Sequence, residues 1–311
     1  MRRELGATAI LAVVMAVFNG TPVACQTPTG TLEFPSGTTT VRLPARIEHE
    51  QVFVRVTIGE RGLDLLLDTG ASGIVLNRRI VRELGLREIE PAPVSTRVPS
   101  GTQALVPLMK IGPLALHDIV VSTQTLFDFR GEEATLVVGL LGFDFIRGAV
   151  LRIDYGQGKV DAIVPSAFSA PPAAVAVPVD LREHVPMLAL SIGGSTGDRF
   201  VLDTGADATL VVGPRFMRLH PPAHDPSRRA RKEDFISIAG EEKFASVTIH
   251  GVSLGPWNFD TDGYIAQVPE SGQWEGLDGL LGAHLLSAFT LYLDYANDRV
   301  LFELPTPTAS P

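Results

Sequence analysis

The sequence predicts an all-β protein built as two similar lobes. Three observations carry this expectation. The 311 residues include 30 Gly and 23 Pro, a density of turn formers that favours many short strands. One set of motifs occurs twice in the same order. The apolar segments mostly alternate or are β-branched, and helical character is confined to short stretches.

The repeat begins with a buried-looking run that ends in an acidic turn. Leu65-Leu66-Leu67-Asp68-Thr69-Gly70-Ala71 in the first copy matches Phe200-Val201-Leu202-Asp203-Thr204-Gly205-Ala206 in the second. Gly139-Leu140-Leu141-Gly142 then matches Gly279-Leu280-Leu281-Gly282. Each copy closes with a strand ending in Asp-Tyr, at Asp154-Tyr155 and Asp294-Tyr295, followed by a turn and a return strand. The spacing from Asp68 to Gly142 is 74 residues, and from Asp203 to Gly282 it is 79.

Taken in order, Val52–Ile58 alternates as a strand, and 59–62 turns it into Leu63–Leu67. In the second copy Met187–Ile192, a turn over 193–198 and Arg199–Leu202 repeat that hairpin. Ile74–Leu76 and Thr209–Val212 read as short buried strands. A short helix is expected over Arg78–Leu84, stopped by Gly85. Its counterpart is Pro214–Leu219, with Pro at a first helical position. These readings divide the chain into a signal peptide (1–25), a tether or first strand (26–50), an N-terminal lobe (51–165), an Ala- and Pro-dense linker (166–178) and a C-terminal lobe (179–305).

The N-terminus has the form of an export signal. Arg2-Arg3 precedes an apolar run over 7–18 that is shorter than the roughly 20 residues a spanning helix needs. No later stretch reaches that length, so the mature chain is expected to be exported, periplasmic or secreted, without a transmembrane segment. Cys25 is the only cysteine, which excludes an intramolecular disulfide and a thiolate metal cluster. It reads either as a lipid-anchored first residue or as a residue at the cleavage point. The net charge of −9 argues against a nucleic-acid partner.

An apolar strand that ends in Asp-Thr-Gly is unusual, because a carboxylate is costly there unless it is hydrogen-bonded. One such turn reads as structural. Two in register within a duplicated unit suggest that a pseudo-twofold axis sets Asp68 against Asp203. Two carboxylates at close range share one proton and can activate a water with no metal, cofactor or covalent intermediate.

At these residues the chain resembles the aspartic proteases. The Asp-Thr-Gly-Ala turns are similar to the retropepsin form, and the two-lobed single chain is similar to the pepsin-like arrangement. The resemblance covers about residues 50–303 and implies a bilobal acid-protease-like fold with endopeptidase activity on a polypeptide. It implies Asp68 and Asp203 as the catalytic pair, and Thr69 and Thr204 as bonded across the lobes beneath them. Gly70 and Gly205 would give backbone N–H groups to the carboxylates. Leu140-Leu141-Gly142 and Leu280-Leu281-Gly282 would buttress the turns. With both halves of the pair on one chain, a monomer is expected.

Two departures stand out. Ala71 and Ala206 occupy positions where pepsin-like chains usually carry Ser or Thr. Lacking that donor, the pair should keep its proton to higher pH, with an optimum at about pH 4–6.5. The four tyrosines, Tyr155, Tyr264, Tyr292 and Tyr295, all lie outside the expected first-lobe flap. Flap candidates are 94–107, turning at Ser100-Gly101-Thr102, and 235–244, turning at Ala239-Gly240-Glu241. The missing flap tyrosine supports a rival reading, a non-catalytic peptide-binding protein of the same fold.

The remaining features read more plainly. His220 and His224 straddle two prolines and read as loop, not metal ligands. The basic run over 228–232 reads as a solvated loop. Asp154 and Asp294 read as structural. Trp257 and Trp274 read either as core or as subsite walls.

Overall fold

The computed structural model describes residues 30–89, 102–124, 138–221, 231–237 and 240–305, with side chains left aside at 231–242. The first lobe contains β1 (Thr31–Glu33), β2 (Thr40–Arg42), β3 (Ala45–Glu48), β4 (Gln51–Ile58), β5 (Arg61–Leu67) and β6 (Val75–Asn77). Helix α1 (Arg78–Glu83) follows, then β7 (Arg87–Ile89), β8 (Gln103–Ile111), β9 (Leu114–Gln124), β10 (Gly139–Leu141) and α2 (Phe143–Ile146). Next come β11 (Val150–Asp154), β12 (Lys159–Ile163) and β13 (Val175–Pro178). The second lobe has β14 (Met187–Ile192), β15 (Ser195–Leu202), β16 (Leu210–Val212), α3 (Pro214–Leu219), β17 (Arg231–Ser237), β18 (Gly240–Leu254) and β19 (Trp257–Ala266). It ends with β20 (Gly279–Leu281), α4 (Ala283–Leu286), β21 (Thr290–Asp294) and β22 (Arg299–Glu303).

Each lobe closes into a six-stranded barrel with the same pairing. In the first the ring runs β4-β5-β10-β6-β9-β8 and back to β4. In the second it runs β14-β15-β20-β16-β19-β18 and back to β14. The parallel pairs fall at the same two places, β5 with β10 and β6 with β9, matched by β15 with β20 and β16 with β19. Closure satisfies the strand edges, and inward side chains such as Val54, Val56, Leu65 and Leu67 fill the first barrel.

A third sheet, not foreseen from the sequence, joins the lobes in the order β13-β22-β21-β11-β12-β2. At its centre Leu151 pairs with Leu293 and Ile153 with Leu291, while Arg152 pairs with Tyr292. Leu151, Arg152 and Ile153 are the repeat equivalents of Leu291, Tyr292 and Leu293. The pairing is thus self-complementary about a local twofold at Arg152 and Tyr292. The linker segment contributes to this sheet, since Val175–Pro178 pairs with β22. Asp154 and Asp294 serve its turns: Asp154 accepts from Arg152 and the Gln157 N–H, Asp294 from Asn297 and Arg299.

Several sequence expectations shift in detail. The second-lobe hairpin turns over Gly193 and Gly194 alone, with φ of 57° and 83°, and residues 195–198 belong to β15. Two consecutive left-handed residues match the twist of the flanking strands, so the turn is shorter than the run of polar residues suggests. Helix α1 is capped by Asn77, whose side chain accepts from the Arg79 N–H at 3.0 Å. Helix α3 spans the expected Pro214–Leu219. Trp274 is a core residue buried against Phe244, and Trp257 is half-buried, packed on the core near Phe289 and Phe302. His220 lies against the Phe216 ring, whereas Cys25, His224 and 228–230 fall outside the described residues.

Candidate active site

Strands β5 and β15 run buried to their last residues and deliver Asp68 and Asp203 to the interface between the barrels. Both aspartates are 0% exposed. The neighbouring parallel strands hold the turns from behind: the Asp68 N–H donates to the Leu141 carbonyl at 3.1 Å and the Asp203 N–H to the Leu281 carbonyl at 2.8 Å. This is the buttressing expected of the two Gly-Leu-Leu-Gly motifs.

The two turns interlock. The Thr69 N–H donates to Thr204 Oγ1 at 3.1 Å, and the Thr204 N–H to Thr69 Oγ1 at 2.9 Å. Each hydroxyl then donates across the interface, Thr69 to the Leu202 carbonyl at 2.6 Å and Thr204 to the Leu67 carbonyl at 2.7 Å. Both threonines are buried, so these four bonds replace water that the groups would otherwise need.

Each carboxylate is gripped by its own turn. Asp68 Oδ1 accepts from the Gly70 N–H at 2.8 Å. Asp203 Oδ1 accepts from the Gly205 N–H at 2.9 Å and the Ala206 N–H at 3.1 Å. Each glycine also faces the opposite aspartate. A Cβ on Gly70 would lie 2.6 Å from Asp203 Oδ2, and one on Gly205 would lie 2.7 Å from Asp68 Cγ. Only glycine allows the two carboxylates to approach this closely. Both Oδ2 atoms are buried with no donor from the surrounding protein, and the two carboxyl groups lie within hydrogen-bonding reach of each other.

Burial raises both carboxyl pKa values. Asp203 is pushed up to about 6, against the lowering effect of the Gly205 and Ala206 N–H groups. Asp68 is raised well above the usual range by burial and then by the charge of Asp203. Burial and the neighbouring carboxylate thus keep a proton on the pair to higher pH than on an isolated carboxyl. Ala71 and Ala206 are both fully buried; Ala71 packs with Phe53, Leu66, Val75 and Leu140.

The flap candidates are only partly described. Ser100 and Gly101 lie outside the described residues. Thr102 directly precedes β8, and its carbonyl accepts from the Thr123 N–H at 2.8 Å. In the second lobe β17 and β18 form a hairpin closed by Ser237 against Gly240. Gly240 is therefore the first residue of the return strand, and residues 238 and 239 lie outside the described residues.

Two residues near the pair were not singled out by sequence. Gln51, the first residue of β4, is 3% exposed, and its Nε2 donates to the Gly205 carbonyl at 2.7 Å. The Tyr295 hydroxyl is buried without a partner, and after burial the charges of Asp68 and Asp203 raise its pKa further. A glutamine opening an otherwise apolar alternating strand was the available signal for the first. Nothing local marks the second, because Tyr155 occupies the equivalent position.

A family model described as aspartyl protease matches residues 54–145. No curated protein matches the chain. Among solved structures, the aspartic proteinase from Irpex lacteus is similar, with 13% identity and a TM-score of 0.49, over 87% of this chain and 99% of that one. The family match covers the first barrel and its Asp68-Thr69-Gly70 turn, and the second barrel repeats that turn at Asp203-Thr204-Gly205.

Proposed function

We propose that the protein is an exported aspartic endopeptidase, acting as a monomer with Asp68 and Asp203 as its catalytic pair. The observation that carries this reading is the pair itself. Two buried carboxylates face each other, each held at Oδ1 by its own turn and each with Oδ2 left free of donors from the surrounding protein. The family match over 54–145 supports a protease role.

A water between the two Oδ2 atoms would be polarised by both. The ionised aspartate takes its proton as the water attacks a peptide carbonyl, and the protonated one donates to the carbonyl oxygen. Collapse of the tetrahedral adduct passes a proton to the leaving amine and restores the single shared proton. The chain's own groups complete this cycle, so the reading needs neither metal nor cofactor. An extended peptide between the barrels, pairing with the two hairpins, is the matching substrate form.

Export rests on the basic and apolar N-terminus, with Cys25 as a lipid-anchor position or a residue at the cleavage point. The test is cleavage of an unstructured protein such as casein, with and without a transition-state-mimic inhibitor of aspartic proteases. Inhibitor-sensitive cleavage is expected. Tight binding of peptides with no cleavage would instead favour the peptide-binding reading.

A further inference from the structure

We propose that Gln51 is a positioning residue for the pair: its side-chain amide, reaching across from the first lobe, polarises the peptide group that holds Asp203 and makes Asp203 the charged member. This inference rests on the catalytic reading above and assigns the proton within it.

The bonds run in series through one peptide plane. Gln51 Nε2 donates to the Gly205 carbonyl at 2.7 Å. That carbonyl and the Ala206 N–H belong to the same peptide group, and the Ala206 N–H donates to Asp203 Oδ1 at 3.1 Å. Donation to a peptide oxygen strengthens the N–H on its other side, so the chain acts cooperatively in a dry setting. All of it is buried: Gln51 is 3% exposed and Asp203 0%.

The first lobe's turn has no equivalent. Phe53 pairs with Leu66 and Met187 with Val201, and Leu66 and Val201 each stand two residues before their aspartate. Phe53 and Met187 are thus equivalent, which makes Val185 the counterpart of Gln51. Valine has no side-chain donor to offer the Gly70 carbonyl. The two aspartates, alike in their own turns, are therefore unlike in what supports those turns from the opposite lobe. Burial raises both carboxyls, and a charge on Asp203 adds to the rise at Asp68.

Other titratable groups surround this turn. Tyr295 is buried and feels both aspartates. Asp207 and Glu50 flank His284, with His284 Nε2 2.7 Å from Asp207 Oδ1 and 3.7 Å from Glu50 Oε2. This half-exposed cluster holds His284 protonated to higher pH, chiefly through Asp207. The Gln51 amide does not itself titrate, so its effect must appear through Asp203.

The test is the pH dependence of kcat and KM on one peptide for wild type, Gln51→Met and Gln51→Glu, with Asp203→Asn alongside. Methionine keeps the shape and removes the donor. We expect kcat to fall roughly 10–100-fold with KM changed less than about threefold. The acid limb should move up by about half a unit or more, since the charged form of Asp203 loses support. Glutamic acid donates only when protonated. Gln51→Glu should therefore be close to wild type in acid and lose activity at lower pH than wild type does on the alkaline side. A Gln51→Met enzyme with wild-type kcat and limbs would overturn the proposal. So would equal loss in both variants at every pH, which packing alone would produce. Turnover by Asp203→Asn would instead remove the catalytic reading itself, whatever Gln51 does.

Discussion

Thr69 and Thr204 hold each other by reciprocal bonds, each backbone N–H donating to the other's hydroxyl and each hydroxyl to the strand that delivers the other's aspartate. The separation of the two carboxylates is set by this interlock rather than by either barrel alone. Its consequences can be measured.

Removing one hydroxyl should cost more than a hydrogen bond. Thr69→Val strands the Thr204 N–H and the Leu202 carbonyl, both buried. Loss of stability of about 2–4 kcal/mol is expected, with activity falling in step. Thr69→Ser keeps the donor and acceptor and should stay within about 1 kcal/mol of wild type. Denaturant unfolding of the two variants separates these outcomes; equal stability would show that the interlock contributes little.

The glycines that face the aspartates should tolerate no side chain. In Gly205→Ala the new methyl would sit 2.7 Å from Asp68 Cγ. The carboxylates must then part, and turnover should drop at least roughly 10²-fold, the scale of a misplaced reacting group. Near-normal kcat in Gly205→Ala would mean the turns move freely enough that the close approach is not required.

Stability should fall as pH rises through mild acid. Asp203 has its pKa raised from 3.8 to about 6 by burial. The folded state therefore binds the proton more tightly than the unfolded chain. This contribution is full below the unfolded pKa and is lost as pH climbs through about 6. Asp203→Asn removes the penalty, so its melting temperature relative to wild type should be higher at pH 7 than at pH 4, by at least about 3 °C. A difference independent of pH would contradict a raised pKa.

Much of this was legible in the sequence because duplication supplies its own control. One Asp-Thr-Gly turn is ambiguous, but two at matched spacing predict a pair and an axis. The supporting role of each downstream Leu-Leu was legible only through the family resemblance, and the fold shows its form, a parallel strand that holds Asp68 or Asp203 from behind. The shared sheet was hidden because β11 and β21 carry no mark of pairing with each other; Leu151–Leu293 is a contact between copies, and repeat comparison aligns equivalents instead. Gln51 was missed for a similar reason. The alternating pattern begins at Val52, so the glutamine reads as the end of a polar turn, and only the fold brings Gly205 to it.

The pH profile should reflect what stands at positions 71 and 206. Alanine offers no hydroxyl to either carboxylate and burial raises Asp203 to about 6, so kcat/KM should peak at the upper end of about pH 4–6.5 or just above it, where the pair has lost its first proton. Ala71→Ser should move the acid limb down if its hydroxyl reaches Asp68. A maximum below about pH 3 in wild type would contradict the raised pKa values of the buried pair.

The central claim is that Asp68 and Asp203 act as one unit on one water. It is tested most directly by kcat/KM on a single unstructured peptide for wild type, Asp68→Asn and Asp203→Asn, each with and without a chelator. Each substitution should lower kcat/KM at least roughly 10²–10⁴-fold, the scale of a lost acid–base group, and the chelator should change nothing. Near-wild-type turnover in either variant, or loss of activity to the chelator, would contradict the account.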